Sequence, residues 1–324
     1  MATVELTSKP IGEIGFGLMG MTWRNQPPPI DQSMKAMKTS LEKGANFWNA
    51  GELYGTPRFN SCHLINQYLT QNPEDASKVV LSIKGGLAPG EMRPDGTEKN
   101  VRRSIDECLR ILDGKIPIDI FECARVDPKT SIEETMEALA KCVKEGKIRG
   151  IGLSEVKAST IRRAAAIHPI AAVEVELSLL ATDILRNGVA ATCAELNIPI
   201  VAYSPLYRGV LTDTTIRKKH LLKFQDDVLE QHHKIIDEVE LLAKKRGCTT
   251  AQIAIAWVRG LTGRMVPAGP GGEKIKLGEI IPIPGASTSE RVIENSTYVE
   301  LTDDEMNEIA KILKENPIKG ERYG

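Results

Sequence analysis

The sequence predicts an α/β protein: a (β/α)8 TIM barrel with an additional C-terminal helix, forming one domain over residues 1–324. Three observations carry the prediction. Eight short apolar runs recur along the chain, segments of helical periodicity separate them, and the runs are too continuously apolar for strands with one wet face. A parallel sheet buried on both faces fits that pattern. Eight strand–helix units favour closure into a barrel over an open sheet.

The runs are Ile14–Leu18, Ala45–Ala50, Val79–Lys84, Ile118–Ala124, Arg149–Ser154, Ala171–Leu177, Ile198–Tyr203 and Glu279–Pro284. The first leads into GFGLMGM (15–21) with no helix directly after it, which argues against an open dinucleotide-binding sheet. Ile132–Glu145 and Ala158–Ala166 have clear helical periodicity. Thr130 and Ser131, ahead of Glu133 and Glu134, mark the start of the former and Gly146 its end. A last helix, Asp303–Glu315, exceeds the eight units and reads as an appendage. Residues 208–228 are polar and patternless. Residues 262–278 contain Pro-Ala-Gly-Pro-Gly-Gly and several lysines, and read as a mobile insertion. Either stretch is a candidate lid.

Composition excludes several classes. Forty-two basic residues against 43 acidic ones leave a net charge of −1, with no electrostatic footprint for nucleic acid or an acidic membrane. The cysteines at 62, 108, 123, 142, 193 and 248 show no metal-ligand spacing, so no metal is expected and reduced, packing thiols are. The first residues, MATVELTSKP, lack the apolar core of a secretion signal, and the closing ERYG matches no lipidation or address motif. No run approaches the roughly 18 apolar residues of a membrane span. The expectation is a soluble cytoplasmic protein, compatible with nuclear presence, acting on a small molecule and without nucleic-acid or membrane partners.

Barrel enzymes build their sites at the C-terminal strand ends. Those ends carry Asn49, Glu52 and Tyr54 after the second run, Lys84 after the third, and Glu122, Arg125 and Asp127 around the fourth. Ser154 and Glu155 follow the fifth, Glu174 and Glu176 lie in the sixth, and Ser204 and Arg208 follow the seventh. A lysine ending the apolar run VVLSIK either snorkels outward or is buried for a purpose. A buried ammonium beside a tyrosine would lower the phenol pKa and make it a useful acid. Tyr54 and Lys84 end neighbouring strands, so the pair can meet. The last run opens into GASTSER (285–291), where a helix start and Arg291 could hold a phosphate; a plain capped helix with a surface arginine reads equally well.

GFGLMGM, FWNAGELYG, LSIKGG, ARVDP, GLSEV, VEVELSL, AYSPL and IPIPGASTSERVIEN together, in this order and over nearly the whole chain, resemble the aldo-keto reductase superfamily. WNAG, ECARVDP, GLMGMTWR and the closing GERY resemble its fungal pyridoxal reductase branch, which reduces pyridoxal to pyridoxine with NADPH. The resemblance implies NADPH bound in an extended form. Ser287, Thr288 and Arg291 would face its 2′-phosphate and Glu294 and Asn295 its adenine. Gly20, Met21, Ser154, Glu174, Tyr203, Ser204 and Leu206 would line the rest, with Ser154 on the nicotinamide amide and Tyr203 stacked on the ring. Trp23, Ala124 and Arg125 would line the substrate.

The family's tetrad is Asp, Tyr, Lys and His. Tyr54 and Lys84 match it, whereas Asn49 stands at the aspartate position and Ala124 at the histidine position. Glu155 and Glu174 replace an asparagine and a glutamine. Asn49 can hydrogen-bond Lys84 but cannot neutralise it. Glu122, one layer below Ala124 on the same face, is therefore a candidate carboxylate partner for Lys84. The expected reaction is hydride transfer from NADPH to an aldehyde, with Tyr54 as proton donor, Lys84 as its activator and Asn49 holding Lys84. Alternatives are a broader aryl-aldehyde or aryl-alcohol oxidoreductase and a low-turnover NADPH-binding regulatory subunit.

Overall fold

A computed structural model of the chain describes residues 4–6, 9–212, 226–268 and 273–317. Eight strands form one parallel sheet in sequential order: β1 Phe16–Gly17, β2 Phe47–Gly51, β3 Val80–Gly85, β4 Ile118–Cys123, β5 Ile148–Ser154, β6 Ala172–Glu176, β7 Ile200–Tyr203 and β8 Ile280–Pro282. The sheet closes on itself. Gly15 donates its N–H to the Pro282 carbonyl (2.9 Å), Gly17 donates to Pro284 (3.2 Å), and Gly17 bridges Gly285 in parallel.

Strand side chains alternate faces, and one set fills the barrel. Phe47, Val80, Ile120, Ala172, Val201 and Ile281, contributed by six strands, pack as one buried cluster with Ile283 and Ile11. Ile11 belongs to a two-stranded antiparallel ribbon, Val4–Leu6 with Lys9–Ile11, that plugs the N-terminal end of the barrel. Two residues further along β2, β3, β4 and β6, the interior turns polar with Asn49, Ser82, Glu122 and Glu174, whereas past Ile281 it stays apolar with Ile283. The opposite faces pack against the helices in a larger cluster that includes Trp48, Leu81, Ile83, Phe121, Ile151 and Val173.

The outer helices are α1 Ile30–Glu42, α2 Ser61–Gln71, α3 Glu98–Leu112, α4 Ile132–Lys144, α5 Ala158–Ala165, α6 Val189–Glu195, α7 Asp226–Arg246, α8 Thr250–Gly260, α9 Ser289–Ser296 and α10 Asp303–Glu315. Local chemistry fixes their ends. Ser131 caps α4 by accepting from the Glu134 N–H (3.2 Å), and Gly146 follows the helix at φ 73°. Thr302 and Glu305 form a reciprocal capping box on α10, which packs against α7.

Every expected strand is present within two residues of its anticipated ends, although the first pairs over only two residues. A single helical turn, Met19–Thr22, does follow β1 directly, although none was anticipated. The 262–278 stretch is more ordered than expected. Met265–Pro267 pairs antiparallel with Lys274–Lys276, while residues 269–272 lie outside the described residues. Most of 208–228 (213–225) and the closing GERY also lie outside them. No helix among the described residues is long and apolar enough to cross a membrane.

Candidate active site

Because alternation continues past the apolar layer, Asn49 on β2, Ser82 and Lys84 on β3, Glu122 on β4 and Glu174 on β6 enter the barrel interior near its C-terminal end. Lys84 is register partner to Glu122 on one side and to Gly51 on the other. All are nearly inaccessible: Lys84 is 4% exposed, Glu122 and Glu174 2%, and Asn49 3%. The lysine is thus buried rather than snorkelling.

Its closest charge partner is Glu174. One Glu174 oxygen pairs with the Lys84 ammonium, and the other accepts from the Asn49 amide at 2.6 Å. Glu122 stands further off: its Oε1 lies 3.5 Å from Lys84 Nζ and has no hydrogen-bond partner among the described residues. Asn49 therefore reaches Lys84 through the Glu174 carboxylate instead of holding it directly. Burial and the neighbouring Glu174 hold the Glu122 carboxyl well above the usual carboxylate range. Burial favours loss of the Lys84 proton, but Glu174, Tyr54 and Glu122 outweigh it, and the ammonium is held more strongly than in water.

Tyr54 lies in the β2–α2 connection, and its backbone is clamped from two sides. Its carbonyl accepts from Thr22 Oγ1 (2.7 Å) and from the Ser61 N–H (3.0 Å), while its own N–H donates to Gly51 (3.2 Å). Gly51 is required there, since an added Cβ would fall 2.9 Å from Tyr54 Cγ. Glu52, two residues earlier, donates its N–H to the Lys84 carbonyl (2.7 Å), which ties the two site loops together. The Lys84 ammonium acts to lower the pKa of the buried phenol. Burial nevertheless dominates, Glu174 and Glu122 add to it, and Tyr54 is pushed up to about 12. Lys84 thus acts on Tyr54 in the expected direction, and burial together with the two glutamates outweighs it.

The walls are aromatic and apolar. Trp23 stacks on Tyr54 with centroids 5.7 Å apart, and the Tyr203 ring lies 5.3 Å from Lys84 Nζ. Ala124 is buried, and its carbonyl accepts from Arg125 Nη1 at 2.6 Å. Gly20 and Met21 sit in the single turn after β1. Ser154, at the end of β5, is buried with a hydroxyl that has no partner among the described residues, a position that suits a ligand amide. A cavity of about 20 Å³ beside Ser154 lies against α4 and is too small for a substrate.

The remaining cofactor candidates gather beyond β7 and β8. Leu206 is buried and Ser204 adopts φ 51°. Ser287 precedes Thr288, which caps α9 by accepting from the Arg291 N–H (3.3 Å). Arg291 is half exposed and pairs with Glu294 at 2.7 Å, and Asn295 is buried behind them. First-turn amide groups, hydroxyls and a half-exposed guanidinium at one helix start fit a phosphate. The unpartnered Ser154 hydroxyl fits the other end of an extended dinucleotide. Among the described residues, no group of three His, Cys, Asp or Glu side chains could hold a metal ion.

Sequence reasoning missed Thr22 and Ser61 as the clamp on Tyr54, since both contacts are non-local. It named Glu155 and Ser204 as strand-end candidates but not their backbone, which holds these non-glycine residues at φ 51° directly after β5 and β7. Such backbone costs roughly 1–2 kcal/mol per residue and clusters where a site dictates it. Glu155 uses its turn to donate its N–H to the Glu174 carbonyl (3.0 Å) and to accept from the Glu176 N–H (2.9 Å).

Comparison with known proteins places this geometry. The aldo/keto reductase family model matches residues 13–314. The chain is 39% identical over 329 residues to a probable pyridoxal reductase 2 of Schizosaccharomyces pombe, covering 97% of this chain and 95% of that protein. It is 36% identical to a putative pyridoxal reductase of Saccharomyces cerevisiae, covering 96% and 95%. Among solved structures, a glycerol dehydrogenase from Gluconobacter oxydans superposes with a TM-score of 0.80 at 22% identity, covering 99% of this chain and 98% of that one.

Proposed function

The chain belongs to the aldo/keto reductase family of oxidoreductases, and on that premise we propose that it reduces the 4-aldehyde of pyridoxal to the alcohol with NADPH. The observation that carries the reading is the buried Tyr54–Lys84 pair at the C-terminal mouth of the barrel, beside the Trp23 ring. The near full-length likeness to two proteins named as pyridoxal reductases supports the substrate.

Bound NADPH supplies the hydride that reduces the carbonyl carbon. The protein's task is the oxygen. Tyr54 donates its phenolic proton to the oxygen as negative charge develops there, and Lys84 stabilises the phenolate left behind. Ser154 holds the cofactor's amide end, and Ser287, Thr288 and Arg291 hold its phosphate end. Trp23 covers one face of the substrate ring and excludes water from Tyr54.

Ala124 offers no donor to the substrate carbonyl. A hydroxyl next to the aldehyde, as pyridoxal carries, supplies that hydrogen bond from within the substrate. Steady-state NADPH oxidation with pyridoxal, its O-methylated analogue and substituted benzaldehydes tests the reading. Pyridoxal is expected to give the highest kcat/KM, with methylation costing about tenfold or more, as loss of a hydrogen bond to developing charge does. Equal turnover of the methylated analogue, or preference for the benzaldehydes, would overturn it.

A further inference from the structure

The barrel interior contains one ammonium and a carboxylate that does not come from a neighbouring strand. Glu174 on β6 reaches across the barrel, pairs with Lys84 on β3 and accepts from Asn49 on β2 at 2.6 Å. Both of its oxygens are engaged by those two residues. Glu122 is the register partner of Lys84, yet it lies 3.5 Å away and its Oε1 accepts no hydrogen bond from the described residues. Asn49 is an amide and brings no charge. A buried ammonium without a carboxylate partner is costly.

We propose that Glu174 is the positioning residue for the proton donor, its carboxylate holding the Lys84 ammonium against Tyr54 while Asn49 fixes that carboxylate. Asn49 and Glu174 form an acid–amide pair bonded to each other beside a shared cation. Exchanging the two chemistries, Asn49→Asp with Glu174→Gln, keeps one amide-to-carboxylate hydrogen bond and one negative charge within the buried cluster that holds Lys84. The backbone supports the role, since the Glu155 N–H anchors the Glu174 carbonyl at 3.0 Å from a left-handed turn. The proposal rests on Tyr54 as the donor and is independent of which aldehyde is reduced.

The test uses the full chain in a Glu122→Gln background, because Glu122 would otherwise ionise beside Lys84 once Glu174 is removed. Three proteins are compared: Glu122→Gln, the same with Glu174→Gln, and the same with Asn49→Asp and Glu174→Gln together. Two quantities are read. One is kcat with any aldehyde the wild type turns over. The other is the ultraviolet titration of the Tyr54 phenol against a Tyr54→Phe blank, which needs neither substrate nor cofactor.

Removing Glu174 is expected to lower kcat about a hundredfold, the low end of what positioned acid catalysis supplies. It is also expected to shift the phenol titration to lower pH, because a carboxylate no longer opposes the phenolate. The exchanged pair is expected to recover kcat to within about tenfold and to return the titration upward. Loss of kcat with an unmoved titration, or an exchanged pair as impaired as Glu174→Gln, would overturn the proposal. A failed pyridoxal assay would leave the phenol titration as the deciding measurement.

Discussion

Trp23 lies almost parallel to Tyr54, with planes 24° apart and centroids separated by 5.7 Å, and it is 40% exposed. The indole therefore forms the outer wall of the Tyr54 phenol and, under the proposed function, a face for an aromatic substrate. Aromatic pairs contribute about 0.5–1.5 kcal/mol beyond their buried area. Trp23→Ala is expected to raise KM for pyridoxal up to about tenfold and to lower kcat, while Trp23→Phe keeps most of both. Steady-state kinetics with an aromatic and an aliphatic aldehyde check it, and the aliphatic substrate should respond less.

The pH dependence follows from Tyr54, which burial pushes up to about 12. An acid is protonated below its pKa, so reduction should show no loss from Tyr54 at any pH below 10. Alcohol oxidation needs the phenolate and should speed up as pH rises toward 12. The folded value lies above the unfolded value of 10.0. The group's contribution to stability is therefore complete below pH 10 and lost as pH rises to about 12. Denaturant midpoints for wild type and Tyr54→Phe across that window measure the difference.

Gly152 on β5 faces Glu122, where an added Cβ would lie 3.2 Å from Glu122 Oε2 and 3.0 Å from Ile120 Cγ2. Gly152→Ala is expected to cost about 1–3 kcal/mol by overpacking, read as a lower denaturant midpoint. Glu122→Gln replaces a carboxyl whose pKa is raised by burial and Glu174 with an amide of the same shape. Its kcat should stay within about threefold and its pH–rate profile unchanged, because Glu174 supplies the charge.

Arg291 pairs with Glu294 at 2.7 Å and stands half exposed at the start of α9. A charge-assisted contact to the cofactor's 2′-phosphate contributes about 1.5–3 kcal/mol. Arg291→Ala should weaken NADPH binding about 10- to 100-fold and NADH binding little. Cofactor titrations followed by fluorescence check both.

The barrel was legible because its strands are buried on both faces and read as apolar runs, and because caps such as Ser131 and Thr302 act locally. Lys84 was legible as a charge ending such a run. The choice between Glu122 and Glu174 was not. Glu122 on β4 and Glu174 on β6 both face the interior, and which of them meets Lys84 depends on strand stagger around a closed barrel. The N-terminal plug and the Met265–Lys276 ribbon were hidden for a related reason, since strands of three residues carry almost no periodic signal.

The central claim is that Tyr54 delivers the proton in NADPH-dependent pyridoxal reduction. Its most direct test is NADPH oxidation with pyridoxal by wild type and by Tyr54→Phe, with NADPH Kd measured on both. The account predicts clear turnover by the wild type, a loss of about 10²–10⁴ in kcat for the variant and an unchanged Kd. A variant that retains the wild-type rate, or a wild type inert toward pyridoxal, would contradict it.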